Sequence, residues 1–196
     1  MKLASLAPAL LTSAILALAA PLALAQTSTW KADPNHSEVD FTINHMAISN
    51  IHGRFPIVEA TLVFDDQDAT KSTVNATINL AGVDTGVAQR DNDLKSARFF
   101  DATTNPTATF TSTSVAKGGS GLLVNGNLTV KGVTKPVVLD VEGPTAPVTG
   151  MDKKTHMGFS ATTTLHRLDF GIGAGMPAPM LGDDVKITID LDLAKQ

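Results

Sequence analysis

The stretch V-K-I-T-I-D-L-D-L at residues 185–193 alternates without a break. Val185, Ile187, Ile189, Leu191 and Leu193 are apolar, and Lys186, Thr188, Asp190 and Asp192 are polar. Successive side chains on an extended backbone point to opposite faces, so this stretch predicts a strand with one dry face and one wet face. The pattern recurs along the chain. Val39, Phe41, Ile43 and His45 alternate with Glu38, Asp40, Thr42 and Asn44. Val74, Ala76, Ile78 and Leu80 form a third set, and Val137, Leu139 and Val141 a fourth. Val and Thr are abundant in these runs, as half-buried pleated surfaces favour.

Turn signals separate the runs. Asp65-Asp66-Gln67-Asp68 follows Phe64, and Lys117-Gly118-Gly119-Ser120-Gly121 predicts a hairpin loop between 107–115 and 122–130. Asn125-Gly126 interrupts the second of these runs as a bulge would. Residues 131–136 read as a further turn, and Gly143–Gly150 as a longer loop. Val87–Ala97 lacks Gly and Pro and is the one helix candidate, placed between strands as a lid or plug would be. About eight antiparallel strands and one short helix leave a sandwich or a closed barrel. Periodicity does not choose between them, and a barrel of this size is either filled by side chains or holds one small ligand.

The N-terminal 25 residues read as a secretory signal peptide. Lys2 supplies the charge, Leu6–Leu18 the apolar run, and Ala23-Leu24-Ala25 the cleavage site before Gln26. The expected organisation is a signal peptide over 1–25 and one domain over 26–196, in the periplasm or secreted. Lys2 is the sole charge in the leader, so its removal takes the net charge from −4 to −5. With no basic stripe to displace counterions, nucleic acid is excluded as a partner. No later run is long and apolar enough for stable membrane insertion by a helix. The absence of cysteine removes disulfides, thiolate metal sites and cysteine nucleophiles.

Several residues invite chemistry. Asp33, His36, Ser37 and Asp40 resemble hydrolase parts, but there is no G-x-S-x-G elbow, and adjacent His36 and Ser37 point to opposite faces of a strand. The histidines His36, His45, His52, His156 and His166 lack helical metal-binding spacing, so no metal site is expected. The glycines of 171–175 do not follow the dinucleotide fingerprint and read as a loop near a barrel mouth. The eight Phe residues spread over most of the chain, as either a packed aromatic core or a tunnel wall would require. His45 shares the inward face of its strand, where it could bond a head group or a neighbouring strand. Arg54 beside Phe55, and Arg90 at the start of the helical block, could each meet a phosphate, carboxylate or carbonyl, or pair at the surface. Met46, Met157, Met176 and Met180 suit an adaptable lining or simple gap filling.

The motif order adds a resemblance. D-P-N-H-S-E-V-D-F-T-I-N-H-M (33–46), G-R-F (53–55), V-D-T-G (83–86), R-D-N-D-L-K-S-A-R-F-F-D (90–101), N-P-T-A-T-F-T-S-T-S (105–114), G-N-L-T-V-K-G-V-T-K-P-V (126–137), R-L-D-F-G (167–171) and G-D-D-V-K-I-T-I (182–189) follow one another at compatible spacing. Together they resemble the YceI-like family of secreted lipid- and polyisoprenoid-binding proteins. The resemblance implies an all-β fold, an extended lipocalin-like eight-stranded antiparallel barrel with one short helix inserted. It implies a periplasmic carrier that holds a polyisoprenoid or other long-chain amphiphile, such as an isoprenoid quinone or polyprenyl lipid, with no catalysis and no cofactor beyond that ligand. A homodimer is compatible with it. The expected apolar lining is Phe41, Ile43, Phe55, Leu94, Phe99, Phe100, Phe110, Leu128, Phe159 and Phe170, with His45, Arg54 and Arg90 at a polar end. The chain departs from the family at Asp93, usually His, at Arg98, usually acidic, and at Asn105, commonly aromatic. The competing functions are a ligand-free sandwich module for protein interaction and an enzyme acting on a lipid head group, the latter requiring Asp40, His45 and Arg90 to converge.

Overall fold

A computed structural model describes residues 27–119 and 121–196. The expected signal peptide lies outside the described residues. The strands are β1 (Thr27–Ala32), β2 (Glu38–His45), β3 (Ser49–Asp65), β4 (Thr73–Asn79), β5 (Thr107–Lys117), β6 (Leu122–Val130), β7 (Val133–Glu142), β8 (Val148–Thr149), β9 (Thr155–His166) and β10 (Leu181–Lys195). All pairings are antiparallel. The run β2-β3-β4-β5-β6-β7-β9-β10 returns to β2, so eight strands close a barrel. Closure settles the choice between sandwich and barrel, and it removes the edges that would template aggregation.

The alternation explains the register. On β10, Val185, Ile187 and Ile189 face Ile43, Phe41 and Val39 of β2 on one side. On the other side Ile189 and Leu191 face Ala161 and Phe159 of β9. Dry positions therefore meet dry positions across each seam, and a one-residue slip would turn every one of them to water.

β1 continues the line of β2, and both pair with β3 and β10. The break between them, residues 33–37, is held against β10. Asp33 N–H donates to Asp192 O at 2.8 Å, and the buried Ser37 Oγ accepts from Asp192 N–H at 3.0 Å. At this base of the barrel, Trp30, Met157 and Leu193 form a buried cluster.

The opposite end is covered by residues 80–106, which hold the helix α1 (Ala88–Lys95), a little shorter than expected. Asp91 in its first turn accepts from the N–H and hydroxyl of Thr85, which offsets the missing side-chain cap at Val87. Phe99 is buried beneath this lid. The second cover is the loop 167–180, tied to the lid by Gly173 N–H donating to Arg98 O at 2.9 Å. Lys131 Nζ spans both covers, donating to Ala97 O at 2.7 Å and approaching Gly171 O at 3.5 Å.

Two local expectations are corrected, and one turn carries no sequence signal. The turn expected over 131–136 is only Lys131-Gly132, with φ of +51° and +74°, and Pro136 lies in β7 opposite Asn127. The irregularity at Asn125-Gly126 belongs to the facing strand: Ser112 and Ser114 of β5 pair with Gly126 and Asn125, so β5 carries the extra residue. The β2–β3 turn at Met46-Ala47 carries no glycine or asparagine signal, yet both residues sit at φ +55°. Each left-handed residue there costs about 1 kcal/mol or more, which closure of the barrel outweighs.

Candidate functional site

The barrel encloses a cavity of about 390 Å³. It extends from Phe64, Ser72 and Leu122 near the base to His45, Asp93 and Leu94 under the lid. All eight Phe residues of the chain line it. The ten positions expected on the apolar wall all contribute to that lining. Phe41 and Phe55 lie 5.3 Å apart between centroids, and Phe55 and Phe100 form a T-shaped pair with centroids 5.3 Å apart. Near the base Phe64 and Phe159 meet at 6.3 Å. Of the methionines, Met176 lines the cavity, Met157 packs in the basal cluster, and Met46 and Met180 stand exposed at the loops.

Two glycines shape the lumen. A Cβ on Gly53 would lie 2.4 Å from Phe41 Cζ, and one on Gly126 would lie 2.3 Å from Phe110 Cζ. Phe41 is directly opposite Gly53, and Phe110, paired with Leu128, is two residues along β5 from Ser112, the partner of Gly126. Each ring therefore lies along the wall, over a neighbour without a side chain, and leaves the centre open. Gly126→Ala is expected to push the Phe110 ring into the lumen. A loss of about 1–3 kcal/mol in a denaturant titration is the expected cost; an unchanged midpoint would show that the ring does not rest there.

The ionisable groups on the wall, His45, Arg90, Asp93 and Arg167, gather under the lid. Arg90 is held by its own lid: Nε donates to Thr85 Oγ1 at 2.8 Å and Nη2 to Thr85 O at 2.9 Å. Asp93 accepts from Arg98 Nη2 at 2.6 Å, and Arg98 also lies 5.1 Å over the Phe99 ring. The departures at 93 and 98 thus meet each other as an ion pair. Asn105 donates to Asp101 at 3.4 Å. His45, half-buried at the end of β2, lines the cavity and makes no side-chain hydrogen bond to another described residue.

Arg54 is a correction. Phe55 faces inward, so its neighbour faces outward by the period of two. Arg54 stands outside the barrel, 3.1 Å from Asp84 and 3.8 Å from Glu38, where it pins the start of the lid to β3. The Gly86 N–H and the Arg54 guanidinium hold the Asp84 carboxyl below the usual range. Asp40 likewise belongs to the outward set, opposite Arg54 and Thr188, while His45 faces in. The convergence of Asp40, His45 and Arg90 that an enzymatic reading requires is not formed.

Arg167 was not among the expected site residues. It is 2% exposed and lines the lid end of the cavity. Its guanidinium donates to five carbonyls, those of Ile172, Gly173, Met176, Leu181 and Gly182, at 2.7–2.9 Å. Burial lowers its pKa from the ordinary value, but a guanidinium remains charged. It ties the loop 171–180 over the barrel, with its guanidinium committed to backbone carbonyls.

The fold and site together define a closed antiparallel barrel around an apolar tunnel with one polar end. The chain belongs to the YceI-like domain family, whose profile matches residues 30–193. It is 37% identical to a UPF0312 protein of Serratia proteamaculans over 187 residues, 93% of each chain. Among solved structures it resembles BcnA of Burkholderia cenocepacia, with a TM-score of 0.69 and 26% identity over 82% of this chain and 98% of that one. It also shares its fold with a polyisoprenoid binding domain from Saccharophagus degradans, at a TM-score of 0.62 and 15% identity, covering 87% and 100% of the two chains.

Proposed function

We propose that this protein is a periplasmic carrier that holds a polyisoprenoid or other long-chain amphiphile in its tunnel, after export and cleavage between Ala25 and Gln26. The observation that carries the reading is the wall itself. Inward positions from all eight barrel strands make a continuous hydrocarbon surface, and the ionisable groups gather at one end. A chain buried along such a wall gains about 0.8 kcal/mol per methylene, so affinity grows with ligand length and needs few specific contacts. His45 is the group placed to meet a head group, since Arg90, Asp93 and Arg167 are already bonded within the protein. The binding described for the Saccharophagus domain agrees with this reading.

Native mass spectrometry of protein taken from its own compartment is the test. The expected spectrum contains a long-chain adduct that organic extraction removes, with a fall in the thermal midpoint of several degrees. If extraction changes neither mass nor midpoint, the carrier reading fails.

A further inference from the structure

Outside the barrel, at the break between β1 and β2, four chain segments bring two imidazoles and three carboxylates together. Asp33 and His36 come from the break, Asp192 from β10, His156 from β9, and Asp152 from the loop before β9. Donor atoms of Asp33, His36 and Asp192 all lie within 4.8 Å of one another. Behind them His156 is clamped on both ring nitrogens, Nδ1 at 2.6 Å from Asp192 Oδ1 and Nε2 at 3.1 Å from Asp152 Oδ1. Its side chain is only 14% exposed. The tunnel makes no use of any of these groups.

We propose that Asp33, His36 and Asp192 bind a divalent cation of the zinc class, with His156 as the residue that orients Asp192. One imidazole and two carboxylates are the donor set that borderline ions take, whereas magnesium and calcium prefer oxygen alone. Bonds of about 2.1 Å in a tetrahedron put donors about 3.4 Å apart. Donors already within 4.8 Å reach that spacing by side-chain rotation, and the most exposed of them, His36, sits on a loop. The fourth position is left to water. In the free protein each imidazole is paired with a carboxylate, His36 with Asp33 at 2.8 Å and His156 with Asp192 at 2.6 Å, and a cation would take the place of the first contact.

The site has a structural consequence. His156 and Asp192 face outward, while their neighbours Met157 and Leu193 face inward into the basal cluster with Trp30. A cation here cross-links the break in the wall to β10 directly over the closure of the tunnel's base. The inference holds whether or not the tunnel carries a lipid.

A second group, His166 with Asp183 and Asp184, also has close donors. It differs in lacking a buried orienting residue: His166 is 57% and Asp184 74% exposed. It serves as the internal control.

The test is calorimetric titration of the purified, tag-free, chelator-stripped protein with zinc chloride, followed by thermal melts. The expected result is one saturable equivalent per chain, with the midpoint raised by roughly 5–11 °C at a hundredfold excess over Kd. His36→Ala, at an exposed position, should abolish both effects. His156→Ala should weaken binding about 10–100-fold, as loss of an orienting partner does. His166→Ala should change neither. Absence of saturable binding, binding unchanged in His36→Ala, or binding lost in His166→Ala would each overturn the proposal.

Discussion

Arg167→Met is expected to lower the stability of the barrel by about 4 kcal/mol and to release the loop 171–180. The substitution keeps a long apolar stem but removes the donors to five carbonyls. A buried acceptor left without a partner costs about 1–3 kcal/mol. The desolvation of the guanidinium is recovered, and carbonyls that reach water on opening of the loop recover part of their share, which limits the total. For a chain of this size the midpoint should fall by roughly 8–16 °C. Arg167→Lys should fall between, because an ammonium has three donors and no planar fork to span carbonyls on both sides. Limited proteolysis supplies the second measurement: new cleavage within 171–180 under native conditions is expected in the methionine variant. A variant with an unchanged midpoint and a resistant loop would mean that the loop is held by Phe170, Ile172 and Met176 packing on the core instead.

The contrast between Arg167 and the wall shows what could be read from the sequence. The inward faces of the strands were legible because their signal is local: inward residues recur every second position, and His45, Ile43, Phe41 and Val39 keep step along β2, whereas the tunnel itself was implied only by the family resemblance. Arg54 was legible by the same rule and misassigned, since two adjacent strand residues cannot both face in. The role of Arg167 was not legible. Its partners are backbone carbonyls of five residues, and a carbonyl leaves no mark on residue type. The Asp33–His36–Asp192 group is hidden for a different reason: 156 positions separate His36 from Asp192, and only barrel closure through β10 brings them together. The turn at Met46-Ala47 gave no signal because tertiary closure overrode local preference there. The ion pair between Asp93 and Arg98 was within reach, five residues apart on either side of a helix end, once both departures were read as one change.

Ala161→Phe is expected to abolish lipid retention while leaving the barrel as stable as before or more so. Ala161 is buried on β9 between Val141 of β7 and Ile189 of β10, and its methyl lines the middle of the tunnel. A phenyl group there projects into the lumen. Barring an alkyl chain from about five methylenes of wall removes about 4 kcal/mol of binding, a loss of roughly a thousandfold in affinity. The added ring meanwhile finds open space lined with hydrocarbon, and filling a cavity commonly contributes about 0.5–2 kcal/mol. In a solid core the same insertion would force neighbours from their rotamers and cost about 1–3 kcal/mol or more. The two architectures therefore predict opposite signs for one measurement. Denaturant midpoints of lipid-free protein compare the variants without interference from bound ligand, and native mass spectrometry counts the adduct separately. A destabilised Ala161→Phe that still carries lipid would place the cargo elsewhere than the tunnel. A stable variant without its adduct would place the cargo where the eight phenylalanines converge.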